Sequence, residues 1–150
     1  MMSYGSPASR AWHIGEPEAE REMIPLCADE GVGVLPWSPL ARGLLAGNGE
    51  RGGTKRTIRA ESDPVAEMYD DVDFDVVDAV REVAGGHGLS AAQIALARLL
   101  SKPDVTAPIV GATKLGHLED AVAATAVRLT EDQVARLETA YRPHPVLGHG

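Results

Sequence analysis

Only two stretches of this chain join a short apolar or β-branched run to a turn signal at its far end, and helical periodicity flanks both. Val32-Gly33-Val34-Leu35 is closed by Pro36, and Val105 to Val110 is interrupted at Pro108 and closed by Gly111. Such runs suit strands covered on both faces, as parallel strands are. Strands alternating with helices predict a parallel α/β sheet with right-handed crossovers. Two parallel strands cannot close a sheet or cover it on both faces by themselves. The pattern therefore predicts a piece of a larger α/β assembly.

The helices are set by periodicity and punctuation. Glu18 to Glu30 carries Ala19, Met23, Leu26 and Cys27 at helical spacing with Gly31 as a stop, and Pro25 predicts either a kink or the true start. Val76, Val77, Val80, Val83 and Ala84 mark one face of a second helix, with its exit expected at Gly85-Gly86. An acidic run, Asp70, Asp71, Asp73 and Asp75, leads into it and reads as a solvated amino-terminal cap rather than a calcium site. Ser90 and Gln93 have the spacing of a capping box. Ile94, Ala95, Leu96, Ala97, Leu99 and Leu100 leave the helix that follows apolar nearly all round, which predicts deep packing before the break at Lys102-Pro103. Leu115, Leu118 and Val122 mark a further helix, and a second capping box, Thr130 with Gln133, opens a last one with Val134, Leu137 and Tyr141 inward. Residues 1–16 read as a poorly ordered leader ahead of one domain over 17–150, the glycine-rich stretch Gly43 to Pro64 with Lys55, Arg56 and Arg59 as a long loop, and Pro143 to Gly150 as coil.

Composition removes several function classes. Lys plus Arg number 14 against 22 Asp plus Glu, a net charge of −8. With no continuous basic stripe, neither nucleic acid nor an anionic membrane surface is an expected partner. No apolar run approaches the roughly 20 residues of a membrane span, and the start lacks a signal-type segment, so the expected location is the cytoplasm. Cys27, the single cysteine, excludes an internal disulfide or a thiolate metal cluster, and its helical setting predicts a buried thiol acting as a small hydrophobe. His87 beside glycines reads as a solvated turn residue, His13 and Trp12 fall in the leader, and His144 and His149 have no nearby carboxylate, so no metal site is expected.

Chemistry concentrates at the two strand ends. After the first, Pro36-Trp37-Ser38-Pro39-Leu40-Ala41-Arg42-Gly43 presents a flat indole, a hydroxyl and backbone amides from a proline-flanked turn. An indole there can stack on a planar ring, and a hydroxyl among free amides can hold a phosphate. After the second, Gly111-Ala112-Thr113-Lys114 leads into a helix, and small residues let an anion approach the helix amino end, whose unpaired donors favour negative charge. Taken singly, each also suits ordinary turn chemistry or a core-filling Trp.

Taken in order, Glu20-Arg21-Glu22-Met23-Ile24-Pro25-Leu26-Cys27, Gly33 to Leu45, Ala107 to Lys114, Leu118-Glu119-Asp120-Ala121 and Arg142-Pro143-His144-Pro145-Val146 closely resemble the carboxyl-terminal part of the aldo-keto reductase family, from about Glu18 to Gly148. The resemblance implies an incomplete (β/α)8 TIM barrel, with the two runs as its seventh and eighth strands, where barrel enzymes often place phosphate sites. It implies NADP(H) as cofactor. By that likeness Trp37 matches the aromatic on which nicotinamide stacks, and Ser38, Pro39, Leu40 and Gly43 belong to the pyrophosphate loop. Gly111, Ala112, Thr113 and Lys114 match the binder of the adenosine ribose and its 2′-phosphate, and Asp120 the acidic position at the adenine. His117 stands where the family often has Gln or Arg near that phosphate, which leaves both NADPH and NADH as candidates.

Family members reduce aldehydes and ketones while a Tyr, assisted by Lys, Asp and His, protonates the product. Those residues come from earlier strands, and neither Tyr4, Tyr69 and Tyr141 nor Lys55, Lys102 and Lys114 sit in those contexts. No catalytic residue is assigned to this chain. A small carbonyl substrate is expected only on completion by the other strands. The alternative is a truncated, non-catalytic product that self-associates through open barrel edges or only binds nucleotide.

Overall fold

The computed structural model describes residues 24–47 and 71–140. The expected leader, the start of the first helix, the loop over 48–64, Tyr141 and the tail lie outside the described residues. Among the described residues there are five α-helices: α1 (Ile24–Asp29), α2 (Asp71–His87), α3 (Ala91–Leu100), α4 (Leu115–Ala124) and α5 (Glu131–Thr139). A kinked 3-10 helix, Ala41–Ala46, with Arg42 and Gly43 off helical geometry, follows the first extended run and was not foreseen in the sequence.

The two extended runs pair in parallel, but through two separate bridges, Val34 with Val105 and Trp37 with Ile109, rather than as continuous strands. Val34 N–H donates to Asp104 O at 3.3 Å, Thr106 N–H to Val34 O at 2.9 Å, and Ile109 N–H to Pro36 O at 2.8 Å. The interruption has two causes. Pro36 and Pro108 have no N–H to donate. Leu35 and Pro36 separate the bridged residues on one side, whereas Thr106, Ala107 and Pro108 separate them on the other, so the second run carries one extra residue, as in a bulge.

The main core lies where α2, α3, α5 and the 3-10 helix meet. Val76, Val77, Ala79, Val80, Val83 and Ala84 from α2 pack with Ile94 and Ala95 from α3, Leu137 from α5, and Ala41 and Leu45 from the 3-10 helix. Each large aliphatic buried there contributes roughly 1.5–3 kcal/mol relative to leaving it exposed. The foreseen depth of α3 is found: every residue from Gln93 to Leu99 is buried. One of them is Arg98, whose side chain is 3% exposed; it pairs through Nη2 with Glu138 of α5 and donates from Nη1 to Ser101 Oγ at 3.3 Å. Lys102 Nζ reaches the same Glu138 Oε1 at 3.4 Å. Arg136 of α5 meets Glu82 of α2 at 2.6 Å. Charged contacts thus tie α5 to α2 and α3.

Both expected capping boxes form: Ser90 Oγ accepts from Gln93 N–H while Gln93 Oε1 accepts from Ser90 N–H, and Thr130 with Gln133 repeats the pattern. The exit of α2 is a correction. The helix runs through Gly85-Gly86 to His87, and the chain turns at Gly88, with φ +65°, whose following Leu89 N–H bonds Ala84 O at 3.1 Å. Two glycines weaken a helix by roughly 0.5–1 kcal/mol each but do not end it. A left-handed residue does, and Gly88 supplies it. Gly31, with φ +63°, stops α1 as expected, and Cys27 is buried and free. Among the described residues no helix is long and apolar enough to cross a membrane.

Candidate functional site

Parallel pairing decides the geometry of the site. Because Trp37 faces Ile109 in the same direction, the turns that follow them leave from the same end of the paired runs. Adjacent strands lie about 4.8 Å apart. Gly111 follows Ile109 by two positions, so the second turn starts beside the indole-bearing residue.

The first turn has unusual backbone. Ser38, Ala41 and Arg42 all have positive φ, 51°, 51° and 55°, and Gly43 continues at 101°. For side-chain-bearing residues that conformation costs of order 1 kcal/mol or more each, and clusters of it occur at sites that grip ligands. Anchoring holds it in place: Ala41 N–H donates to Ser38 O at 3.1 Å, and Leu40 O accepts from Gly43 N–H at 2.9 Å and Leu45 N–H at 3.2 Å. Ala41 and Leu45 are buried in the core, and Pro39 is buried as well. The core therefore fixes a turn in which three successive residues, Ala41 to Gly43, hold left-handed backbone after Leu40 at φ −107°. Trp37 is half-buried, and its indole Nε1 is buried without a hydrogen-bond partner. A buried donor without a partner costs about 1–3 kcal/mol, so this group is suited to meeting an acceptor not supplied by the described residues.

The second turn is open. Gly111, Ala112, Thr113, Lys114 and His117 are all exposed. Lys114 is the N-cap of α4 in extended conformation and makes no side-chain cap hydrogen bond, in contrast to Ser90 and Thr130 on α3 and α5. The amino end of α4 thus keeps backbone donors available to an anion. Asp120, farther along α4, is half-buried, and its Oδ2 accepts from Ser90 Oγ at 3.2 Å. That contact was not foreseen: the capping role of Ser90 is written in the spacing to Gln93, but its second partner depends on how α4 docks on α3.

The set fits a ligand with a flat ring at one end and phosphates along its length: an aromatic with an unspent donor, a strained amide turn, and an uncapped helix end share one rim. Among the described residues no group of His, Cys, Asp and Glu is arranged to hold a metal. The large apolar residues of α4 stay exposed, Leu115 at 71%, Leu118 at 47% and Val122 at 62%, as does Ile109 at 52%.

Comparison with known proteins gives concordant likenesses. The sequence profile described as the aldo/keto reductase family matches residues 9–142. The chain is 39% identical over 134 residues to versiconal hemiacetal acetate reductase of Aspergillus parasiticus, covering 86% of this chain and 38% of that protein. It is 40% identical over 135 residues to an aldo-keto reductase of Fusarium vanettenii, covering 88% and 35%. A crystal structure of the thermostable aldo-keto reductase Tm1743, in complex with the inhibitor epalrestat, superposes with a TM-score of 0.61 at 25% identity, covering 87% of this chain and 38% of that one. The chain thus spans well under half the length of these relatives.

Proposed function

Because this chain belongs to the aldo/keto reductase family of (β/α)8-barrel oxidoreductases, we propose that it carries the NADP(H)-binding rim of that barrel, formed after the seventh and eighth strands, in a cytoplasmic reductase of small aldehydes or ketones. The supporting observation is the parallel register of Trp37 with Ile109, which brings both turns to one end. NADPH, when bound, supplies the hydride that turns a carbonyl into an alcohol. This chain's residues bind and orient. Trp37 offers its ring to the nicotinamide, and the strained Ser38-Pro39-Leu40 to Gly43 turn cradles the pyrophosphate. Gly111, Ala112, Thr113 and Lys114 hold the adenosine ribose and its 2′-phosphate, with His117 near that phosphate and Asp120 at the adenine.

Proton delivery to the product oxygen belongs to the Tyr, Lys, Asp and His of the remaining strands. A positioned general acid is worth roughly 10²–10⁴-fold, so carbonyl reduction depends on those strands. The experiment is a titration of NADPH against tryptophan fluorescence, with Trp37→Phe as control for the signal of Trp12. Saturable quenching that is lost in Trp37→Phe is expected; no quenching at millimolar NADPH refutes the reading.

The exposed Leu115, Leu118, Val122 and Ile109 favour a second reading, in which the chain self-associates through this face without catalysis. Sedimentation of the wild type and Leu118→Glu separates the two. Concentration-dependent assembly abolished by the charge supports self-association, and a monomer in both argues against it.

A further inference from the structure

We propose that Ser90 is a positioning residue for the nucleotide site: its hydroxyl fixes the Asp120 carboxylate so that the pair selects a 6-aminopurine over a 6-oxopurine. This rests on the reading above, in which Asp120 stands at the adenine.

Ser90 makes three hydrogen bonds, two of which engage its hydroxyl, once as acceptor and once as donor. Its backbone N–H donates to Gln93 Oε1 at 2.9 Å, its Oγ accepts from Gln93 N–H at 3.2 Å, and its hydroxyl hydrogen goes to Asp120 Oδ2 at 3.2 Å. A serine hydroxyl has one proton to give and lone pairs to accept with. The capping box occupies the accepting side, so the proton is directed at α4. All three bonds are partly buried, where they are screened less than at the surface. The contact joins residues 30 positions apart and spans the packed pair α3 and α4.

The consequence for Asp120 is geometric. One carboxylate oxygen is engaged by Ser90, and Oδ1 has no hydrogen-bond partner among the described residues. A carboxylate is an acceptor only. Held in one orientation, its second oxygen can take an N–H of an exocyclic 6-amino group, and it repels the 6-oxo oxygen of hypoxanthine. A site built to bond a donor group rejects the analogue lacking it far more strongly than shape alone would. A carboxylate free to rotate would turn toward water for the wrong base and lose most of that discrimination.

The test compares dissociation constants of the full chain for NADPH and for its hypoxanthine analogue, read by tryptophan fluorescence, together with melting midpoints. Wild type is expected to prefer the adenine form by about tenfold, and Ser90→Thr, which keeps cap and donor, to match it. Ser90→Asp keeps a good cap but replaces the donor with a like charge, and Ser90→Gly keeps most of the capping strength with no donor. Ser90→Gly is expected to melt near wild type and Ser90→Asp, with two carboxylates in contact, below it, while in both the preference falls to about twofold or less. In Ser90→Asp combined with Asp120→Asn, the new amide can donate to Asp and still accept from the base, and the preference should return. Ser90→Asp and Ser90→Gly retaining the full preference would overturn the proposal and leave the cofactor site standing, as would a wild type that binds both nucleotides equally. Failure to bind either nucleotide overturns both.

Discussion

The parallel pairing that organises the rim rests on a close approach at Gly33, and this can be tested by a change of sign. A Cβ built on Gly33 would lie 2.4 Å from Thr106 Oγ1 and 3.5 Å from Thr106 Cβ. Heavy atoms normally meet at about 3.5 Å, so a methyl there overlaps the hydroxyl by about 1 Å. The Thr106 backbone is held, its N–H bonded to Val34 O at 2.9 Å, so the hydroxyl must leave its rotamer to clear the methyl. Overpacking of this kind costs roughly 1–3 kcal/mol. Gly33 has no positive φ, so alanine is otherwise allowed and lowers the entropy of the unfolded chain, a gain of about 0.4–1 kcal/mol. The net expectation for Gly33→Ala is a loss of about 1–2 kcal/mol. In a Thr106→Ala background the clash is gone and only the gain remains, so the same substitution should stabilise by about 0.4–1 kcal/mol. Urea unfolding followed by far-ultraviolet circular dichroism measures both. At about 2–4 °C per kcal/mol, the loss should also lower the melting midpoint by roughly 2–8 °C. An effect of the same sign and size in the two backgrounds would refute the argument that the Gly33–Thr106 approach sets the pair.

Other expectations follow from single features. Gly85→Ala and Gly86→Ala should each stabilise by roughly 0.5–1 kcal/mol, since both lie in α2 with open space around a Cβ, whereas Gly88→Ala should cost roughly 1–2 kcal/mol at φ +65°; thermal melts that rank Gly88 with the other two would contradict the helix end. Glu138→Ala leaves the buried Arg98 charge uncompensated. Breaking such pairs costs about 3–5 kcal/mol in full burial, and the 44% exposure of Glu138 lowers the expectation to about 2–3 kcal/mol. Arg98→Met, which removes charge and the unpaired Nε together, should be close to neutral; chemical denaturation showing it as costly as Glu138→Ala would refute this asymmetry.

The relation between sequence and site is uneven along the chain, and particular residues show why. Both capping boxes were legible because a cap is a contact between residues three apart, and the Val76 to Ala84 stripe because helical period depends on local geometry alone. Gly85-Gly86 misled because a glycine signals permission to turn, not the turn itself; the packing of α2 on α3 and α5 carried the helix to Gly88. The 3-10 segment was hidden because Ser38, Ala41 and Arg42 adopt a handedness that their side chains disfavour, which the burial of Ala41 and Leu45 and the hydrogen bonds within the turn sustain. Arg98 gave no signal of burial, because its partner Glu138 lies 40 residues away.

The order of elements, the family and the residue types at the two turns were determined by the sequence alone, since they rest on period, punctuation and long motifs. Tertiary structure decided the rest: the parallel register that sets Trp37 beside Ile109, the bulge that breaks the ladder, the second partner of Ser90, and the exposure of the large apolar residues of α4. Each of these joins groups far apart along the chain, and such contacts are fixed by which surfaces can be buried together rather than by the propensity of any one segment.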